Sequence, residues 1–273
     1  MCVWLKVTNE PPAALSAMPR MGLRIFQNGV VSDQNGVVSD DSEPVPRGLT
    51  SAHVAWDRAW RELAASAEQS PWRRPEPKVL ASLPLLRLRG VRRVLDLGAG
   101  LGRHVLPLAA EGFEAYGLDA SRSGVQEISA SAGAAGLRVA LVVGTFLQLP
   151  FPSASFDFVL AWNVLYHGDG TSAGQAVAEV ARVLRPAGLY LGTMLSKRNA
   201  EYGVGREIRP DTFVQDGSRG DRSHPHFYCD AAELLALHAD FEPLALEDRD
   251  QGDSRRAAQY HWEFLMEKAP RHA

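Results

Sequence analysis

The sequence has few cysteines and no long apolar runs, and each shortage excludes a class of protein. Its 273 residues contain 2 cysteines, Cys2 and Cys229, which is too few for a disulfide framework. No apolar run approaches the roughly 18 residues that a membrane-spanning helix needs. The first residues, MCVWLKV, lack the charged region and cleavage site of a signal peptide. We therefore expect a cytoplasmic protein with no membrane partner.

An excess of positive charge is also missing. The chain has 29 lysines and arginines against 32 acidic residues, which gives a formal net charge of -3. Proteins that bind nucleic acids present basic surfaces to the phosphates, so we expect no nucleic-acid partner. With 45% hydrophobic and 22% charged residues, the chain is long enough for one large domain with a full core.

Residues 1–50 differ in composition from the rest. The heptapeptide QNGVVSD occurs twice in tandem, and turn-forming, proline and acidic residues follow it without a helical pattern. This composition predicts a disordered or poorly ordered leader, with residues 51–273 as the single domain. An alternative interpretation is an upstream extension of the reading frame, with the working start at Met18 or Met21.

Helical and strand patterns alternate from about residue 52 onward. The segment SAHVAWDRAWRELAASA places Trp56, Trp60 and Leu63 on one helical face, and it predicts an N-terminal helical cap. Five apolar strand patterns with intervening helices follow between about 90 and 195. Such alternation indicates an α/β fold with a doubly wound, mostly parallel sheet and helices on both faces. The late segment AAQYHWEFLMEK predicts a closing strand.

The most informative stretch is the glycine turn in VLDLGAGLGRH, where Gly98, Gly100 and Gly102 follow a strand and open a helix. Glycine permits a tight turn and a close approach of the backbone to a ligand, which then meets the free N–H groups of the helix start. The dinucleotide pattern G-x-G-x-x-G would need glycine at the position of Arg103. Asp96 instead completes D-x-G-x-G-x-G, and an acid there suits a ligand that carries positive charge.

A second acidic residue, Asp119, ends the next strand pattern about 20 residues beyond the turn. A carboxylate at this place can accept two hydrogen bonds from the hydroxyls of a ribose. The alternative is that Asp119 only caps the helix that begins near Ser121. The turn and the acid together favour ribose binding.

These motifs, with LPFPSASFDFVLAWNVLYH and VLRPAGLY further on, resemble in order those of the class I S-adenosylmethionine-dependent methyltransferases of the small-molecule type. The resemblance covers about 90–195 closely and 52–268 more loosely. It implies a Rossmann-like, seven-stranded sheet with one antiparallel strand, S-adenosyl-L-methionine as cofactor and a small-molecule methyl acceptor. The segment LSKRN…HPHFYCDAAEL also resembles proteins related to tellurite-resistance methyltransferases.

The resemblance also implies which residues hold the cofactor. Asp96 and the glycines would hold its methionine part, and Asp119 its ribose. Thr145 stands where many members have an acid that binds adenine, so we expect a looser adenine contact from Thr145 and Phe146. The full predicted set is Asp96, Gly98, Ala99, Gly100, Gly102, Arg103, Asp119, Ala120, Thr145, Phe146, Ala161 and Trp162.

The strand in FDFVLAWNVLYHG ends at the carboxyl edge of the sheet, where open α/β folds bind ligands. We predict Asn163, Tyr166 and His167 as catalytic residues there. The sequence NVLY lacks the Pro-Pro of methyltransferases that act on nucleic-acid amines. His167 is the candidate base if the acceptor is a hydroxyl or an amine, and the alternative is a structural histidine. An anionic chalcogen or thiolate acceptor needs no base.

Two other functions stay open at this point. One is an O- or N-methyltransferase of a natural product that uses His167 as base. The other is a non-catalytic scaffold that binds the cofactor.

A long insertion at about 196–229 exceeds an ordinary connection. Its mixture of basic and aromatic residues fits a lid over a polar or anionic substrate, with tryptophans of the helical cap opposite. The predicted substrate residues are Trp56, Trp60, Arg206, His224, His226 and Tyr228.

The end of this insertion, HPHFYCD, contains chemically plausible zinc ligands in His224, His226 and Cys229. The usual paired C-x-x-C or H-x-x-x-H ligand sets are absent, however. Asp230 and Glu233 form the pattern of a helix capping box, with Cys229 packing behind it. We therefore predict no metal, and interpret the segment as a helix start joined to a pocket wall.

Overall fold

The computed structural model describes residues 25–27, 30–32, 51–65, 70–215, 223–252 and 257–270. Its strands are β1 (Ile25–Gln27), β2 (Val30–Ser32), β3 (Arg93–Leu97), β4 (Glu114–Asp119), β5 (Val139–Val143), β6 (Phe156–Ala161), β7 (Leu184–Ser196), β8 (Arg206–Arg209), β9 (Thr212–Val214), β10 (His226–Cys229), β11 (Phe241–Asp250) and β12 (Tyr260–Lys268). Seven of them form the central sheet in the order β5-β4-β3-β6-β7-β12-β11. All neighbours from β5 to β7 are parallel, and β12 is antiparallel to both of its neighbours. The expected doubly wound sheet with one antiparallel strand is confirmed, and five short strands extend it.

The helices are α1 (Ser51–Ala65), α2 (Pro77–Ala81), α3 (Leu83–Leu88), α4 (Val105–Ala110), α5 (Arg122–Ala134), α6 (Gly170–Val183) and α7 (Ala231–Leu237), with a 3-10 turn at Pro71–Arg73. The pattern PEPKVLASLPLLRL suggests one helix, but the structure divides it into α2 and α3. Pro84 lies in the first turn of α3. Because proline has no N–H to donate and clashes with the preceding turn, it starts a new helix instead of continuing α2.

Helices cover both faces of the sheet, as alternating residues of one strand show. Val94 of β3 packs in a core cluster with residues of α2, α3, α4 and α5. Its neighbour Leu95 packs in the opposite cluster with residues of α6 and α7. Successive side chains of a strand point to opposite faces, so a strand that is apolar throughout requires both layers.

The chain leaves β3 in one direction and later returns on the other side of it. It builds β4 and β5 on one side of β3 and then β6 and β7 on the other. The connections after β3 and β6 therefore diverge, which opens a crevice at the carboxyl ends of these strands. The glycine turn is fixed there because the N–H groups of Gly98 and Ala99 donate to Leu118 O at 2.7 and 3.0 Å.

The insertion between β7 and α7 contains β8, β9 and β10. The middle strand, β9, pairs antiparallel with both β8 and β10, and β10 also lies parallel to the end of β7. A backbone hydrogen bond of 2.9 Å from Phe227 N–H to Tyr166 O ties β10 to the segment after β6. Residues 216–222 fall outside the described part of the chain, and the role of 196–229 as a lid stays a prediction.

The predicted leader contributes two described segments. In β1, Ile25 and Phe26 pair antiparallel with β5, and β2 pairs with β1. The remainder of 1–50 lies outside the described residues, so the prediction for this region and its boundary is not tested.

The predicted capping box is confirmed at the start of α7. Asp230 accepts a hydrogen bond from Glu233 N–H at 3.0 Å, and Glu233 accepts one from Asp230 N–H at 2.8 Å. Cys229 and Leu234 are both fully buried in the same core cluster. Among the described residues, no helix has the length and apolar character to cross a membrane.

Candidate active site

A cavity of about 850 Å³, including its open mouth, lies at the carboxyl ends of β3, β4, β5 and β6. Four segments from the sheet form its floor, and aromatic side chains from the N-terminal helical region form its wall. Its lining consists of Trp56, Trp60, Trp72, Gly98, Ala99, Gly100, Leu101, Arg103, His104, Leu118, Asp119, Ala120, Gly144, Thr145, Phe146, Trp162, Asn163, Val164 and His167. The fold therefore brings most of the predicted site residues together.

The turn after β3 needs glycine for two reasons. Gly98 and Gly100 have φ angles of +73° and +54°, a region that side chains disfavour. A Cβ on Gly98 would also lie 2.3 Å from Val164 Cγ2. The chain after β6 thus packs directly on the turn, which leaves no space for a methyl group.

Asp119 lies on the cavity wall and holds the turn in place. Its carboxylate accepts hydrogen bonds from Gly100 N–H at 2.7 Å and from Ser121 N–H at 2.8 Å. Burial raises the pKa of Asp119 to about 6, although these two hydrogen bonds oppose the shift. The N-cap of α5 is Ser121, whose hydroxyl accepts from Gly124 N–H at 2.9 Å. Ser121, and not Asp119, therefore caps α5, and ribose binding remains the predicted role of Asp119.

Asp96 lies beneath the turn and does not line the cavity. Its carboxylate is 1% exposed and accepts from Val105 N–H at 3.0 Å at the start of α4. Burial raises the pKa of Asp96 to about 7, while the nearby charge of Arg103 and the hydrogen bond lower it. Asp96 therefore stabilises the glycine turn and the nearby Arg103 guanidinium from the side that faces away from the cavity.

Arg103 brings a positive charge to the cavity wall. Its guanidinium pairs with Glu76 at 3.0 Å and lies 5.1 Å from the ring centroid of Trp72. Burial lowers the pKa of Arg103, and Glu76 and Asp96 oppose this shift. The planar guanidinium keeps donors for an anionic group of a ligand.

The helix α1 is attached to the start of α5 beside the cavity. The Asp57 carboxylate accepts from Ser121 Oγ at 2.7 Å and from Ser123 N–H at 3.0 Å. Burial tends to raise the pKa of Asp57, but these hydrogen bonds and Arg61 outweigh it and hold the pKa below its ordinary value.

Three tryptophans form the wall that α1 and the following turn present to the cavity. The rings of Trp56 and Trp60 are stacked with centroids 4.7 Å apart, and Trp72 meets both edge-on with centroids 5.6 Å away. The first two were predicted from their helical spacing. Trp72 was missed, because it lies in a 3-10 turn with no periodic pattern.

The segment after β6 bends so that Trp162, Asn163 and His167 line the cavity. Asn163 has a φ angle of +59°, which asparagine tolerates better than most residues. Its side-chain oxygen accepts from Thr193 Oγ at 2.9 Å, and its backbone carbonyl lies 3.2 Å from His167 Nε2. Tyr166 is buried behind this segment and does not line the cavity.

His167 also meets the two histidines of the insertion. Its Nδ1 atom lies 3.0 Å from His224 Nε2 and 3.1 Å from His226 Nε2. The structure thereby joins one predicted catalytic residue to two predicted substrate residues. These two lie behind His167 and outside the cavity lining.

The other predicted residues lie elsewhere. Gly102 and Ala161 are buried behind the lining. Tyr228 is 1% exposed and packs in the core against the rings of Tyr202 and Phe213, while Arg206 is exposed on β8. Sequence reasoning missed six lining residues, namely Trp72, Leu101, His104, Leu118, Gly144 and Val164. Most of these are neighbours of predicted residues and carry no chemical signal of their own.

Residues 94–188 match a family described as "Methyltransferase domain". The uncharacterized methyltransferase YcgJ of Bacillus subtilis (strain 168) is 38% identical over 104 residues, which are 38% of this chain and 40% of that protein. The chain spans less than half the length of such relatives.

Two solved structures show the same fold. The 1,6-didemethyltoxoflavin-N1-methyltransferase of Burkholderia thailandensis, with bound S-adenosylhomocysteine, has a TM-score of 0.58 at 21% identity and covers 83% of this chain and 94% of that one. TehB from Haemophilus influenzae has a TM-score of 0.53 at 15% identity, covering 71% and 62% of the two chains.

These findings confirm the expected resemblance. Residues 94–188 match the methyltransferase-domain family, and the chain around them has the fold of solved S-adenosylmethionine-dependent methyltransferases. The shared fold does not identify the methyl acceptor, because proteins with one fold catalyse many different reactions.

Proposed function

We propose that this protein is an S-adenosylmethionine-dependent methyltransferase that acts on a small-molecule acceptor by in-line methyl transfer. One observation carries the proposal. A single cavity at the switch point of the sheet joins the turn at Gly98 and Gly100, the carboxylate of Asp119 and the residues that follow β6. The methyltransferase domain match over 94–188 supports the same function.

The donors around the cavity fit this cofactor. Each Asp119 oxygen accepts one backbone N–H, and a carboxylate has about four acceptor sites, so capacity remains for two ribose hydroxyls. Arg103 would pair with the cofactor carboxylate. Thr145 and Phe146 line the part of the cavity after β5, where the adenine would lie.

The bound cofactor supplies an activated methyl carbon on a sulfonium. The protein must then align the acceptor and exclude water. The tryptophan wall of Trp56, Trp60 and Trp72 provides apolar surface for the second task. The same wall favours an acceptor with an aromatic or conjugated ring, which stacks on tryptophan.

An O- or N-methyltransferase of a natural product with His167 as base is the second candidate. The Burkholderia neighbour is named as an N1-methyltransferase of a ring compound, which favours this class. Both ring nitrogens of His167 lie within hydrogen-bond distance of protein atoms, so a base role requires His167 to release one of these contacts. In that case His167→Ala should lower turnover far more than cofactor affinity.

Calorimetric titration with S-adenosyl-L-methionine tests the cofactor assignment. We expect one site, and Asp119→Ala should weaken binding by about 1.5–3 kcal/mol, since it removes a charged hydrogen-bond partner. Asp240→Ala serves as control, because Asp240 is exposed and remote from the cavity lining. No binding at millimolar cofactor would exclude the proposal, and equal affinity in Asp119→Ala would exclude the ribose assignment.

Catalysis is tested by release of S-adenosylhomocysteine. Candidate acceptors comprise thiols, phenols, amines and chalcogen oxyanions, each incubated with the protein and S-adenosyl-L-methionine. A methyltransferase produces S-adenosylhomocysteine with at least one acceptor class. Tight cofactor binding with no turnover on any class would favour the non-catalytic scaffold.

A further inference from the structure

We propose that His167, His224 and His226 form a site for one divalent transition-metal ion of the zinc type. The three rings are 6%, 1% and 2% exposed. One nitrogen of each lies within 4.8 Å of those of the other two, and His167 Nδ1 is 3.0 and 3.1 Å from the nitrogens of its partners. Three buried imidazole nitrogens thus converge on one point.

The backbone fixes the protonation of two of these rings. A carbonyl oxygen can only accept a hydrogen bond. His167 Nε2 lies 3.2 Å from Asn163 O, and His226 Nδ1 lies 2.9 Å from His224 O, so both of these nitrogens carry the hydrogen. In a neutral imidazole the other nitrogen then carries a lone pair.

In their neutral forms, His167 Nδ1 and His226 Nε2 therefore carry lone pairs, and the two atoms lie 3.1 Å apart. A metal ion requires such a lone pair of an imidazole ligand.

The third histidine completes the ligand set, since His224 Nε2 lies 3.0 Å from the same His167 Nδ1 atom. With a Zn–N length of about 2.0–2.1 Å, tetrahedral geometry places ligand nitrogens about 3.3–3.4 Å apart. The two separations from His167 Nδ1, 3.0 and 3.1 Å, need to lengthen only slightly, and all three nitrogens lie within 4.8 Å of one another.

The backbone carbonyls also match what metal-binding histidines need. Such a histidine usually donates its second N–H to a carbonyl or carboxylate, which sets its tautomer and orientation. Asn163 O and His224 O do this for His167 and His226. The bond from Phe227 N–H to Tyr166 O keeps the two segments in register.

This proposal replaces the prediction of no metal made from the sequence. The H-P-H segment offers two ligands, and the third lies 57 residues before His224, so no local motif reveals the set. Cys229 is not a member, because its Sγ lies in the core at 3.7 Å from Leu195 O.

Three neutral imidazoles suit Zn²⁺, Co²⁺, Ni²⁺ or Fe²⁺, and three protein ligands leave a fourth position for water or a ligand atom. His224 and His226 lie behind His167, outside the cavity lining, so an ion held by all three would lie behind the His167 ring. Such an ion would fix the orientation of that ring at the cavity wall.

Metal uptake by the full chain, produced without a histidine tag, is the direct test. Chelator-treated protein is incubated with Zn²⁺, passed through gel filtration and analysed for metal by mass spectrometry. We expect about one zinc per chain, and competition with a chromophoric chelator should give a dissociation constant in the micromolar range or below. No uptake by the wild-type protein overturns the proposal, whatever the variants do.

Variants locate the ion. Loss of a partner that only orients a metal ligand costs about 10–100-fold in affinity, so His224→Gln, His226→Gln and His167→Gln should each weaken zinc binding by about 100-fold or more. His238→Gln, which changes a buried histidine of another cluster, should retain zinc binding. Thermal unfolding and calorimetry with S-adenosyl-L-methionine show whether each variant is folded. Equal zinc binding in the folded wild-type and His226→Gln proteins would refute the site.

Cobalt tests the geometry and the open position. Four-coordinate Co²⁺ absorbs visible light much more strongly than hydrated Co²⁺, so the loaded protein should become intensely coloured. Azide added to this protein should change the spectrum, because it occupies the fourth position. An unchanged spectrum would overturn the open position, and neither result depends on methyl transfer.

Discussion

The substitution Gly98→Ala probes the point where two halves of the sheet meet over the cavity. The φ angle of +73° costs a residue with a Cβ about 1–2 kcal/mol. The new methyl would also lie 2.3 and 2.8 Å from the two Cγ atoms of Val164, and overpacking of this kind costs about 1–3 kcal/mol. After the gain of about 0.4–1 kcal/mol from a less flexible unfolded chain, we expect Gly98→Ala to lower the free energy of unfolding by about 1–4.5 kcal/mol.

Gly90→Ala is the matched control for backbone strain. Gly90 has a similar φ of +66°, but a Cβ there meets nothing within 4 Å. Gly90→Ala therefore costs only the backbone strain. Alanine also makes the unfolded chain less flexible, which stabilises the folded protein by about 0.4–1 kcal/mol. We expect the free energy of unfolding to fall by about 0–1.5 kcal/mol in total. Urea titration of both variants measures the difference, which reports the contact with Val164.

A third variant separates the contact from any other effect at the turn. Val164→Ala removes both Cγ atoms, so Gly98→Ala in that background should cost about 1–3 kcal/mol less than in the wild type. Calorimetry should show cofactor affinity falling about tenfold or more in Gly98→Ala and partly recovering in the double variant. Additive effects on unfolding, within about 0.5 kcal/mol, would refute the proposed contact.

Four further predictions concern the groups around the cavity and the last helix. Since the Asp119 pKa is raised to about 6 in the ligand-free protein and the proposed ribose contact uses a carboxylate, cofactor affinity should fall about tenfold per pH unit below 6. Asp119→Asn should flatten this profile in calorimetry. The same raised pKa gives the ligand-free protein stability that is present below about pH 4 and lost as pH rises through about 6, so Asp119→Asn should reduce this loss in urea titrations. Asp57→Asn should weaken the attachment of α1 to α5. Cofactor affinity should then fall several-fold, and a protease should cleave α1 sooner than in the wild type. Unchanged cleavage would argue against this attachment. Asp230→Ala removes the N-cap of α7 and should lower stability by about 0.5–2 kcal/mol in urea, with no effect on cofactor binding.

The strand and helix pattern was readable because each element carries its own periodicity. Apolar runs bounded by glycine and polar turns predicted β3 to β7, and the spacing of Trp56 and Trp60 predicted α1. The division of α2 from α3 was not anticipated, although Pro84 is visible in the sequence. Pro84 lies past the middle of this pattern, where a proline either kinks one helix or starts a second one, and only packing decides between them.

The sequence by itself determined the fold class, the glycine turn and the two acids near it, since turn chemistry and strand periodicity act over a few residues. The tertiary structure decided which of these groups face the cavity, because that depends on strand register and on what packs behind each side chain. It placed Asp119 on the wall and Asp96 beneath it. It also brought His167 into contact with His224 and His226. The contact between His167 and His224 spans 57 residues, so no local sequence pattern encodes it. It forms because β10 docks on the end of the sheet.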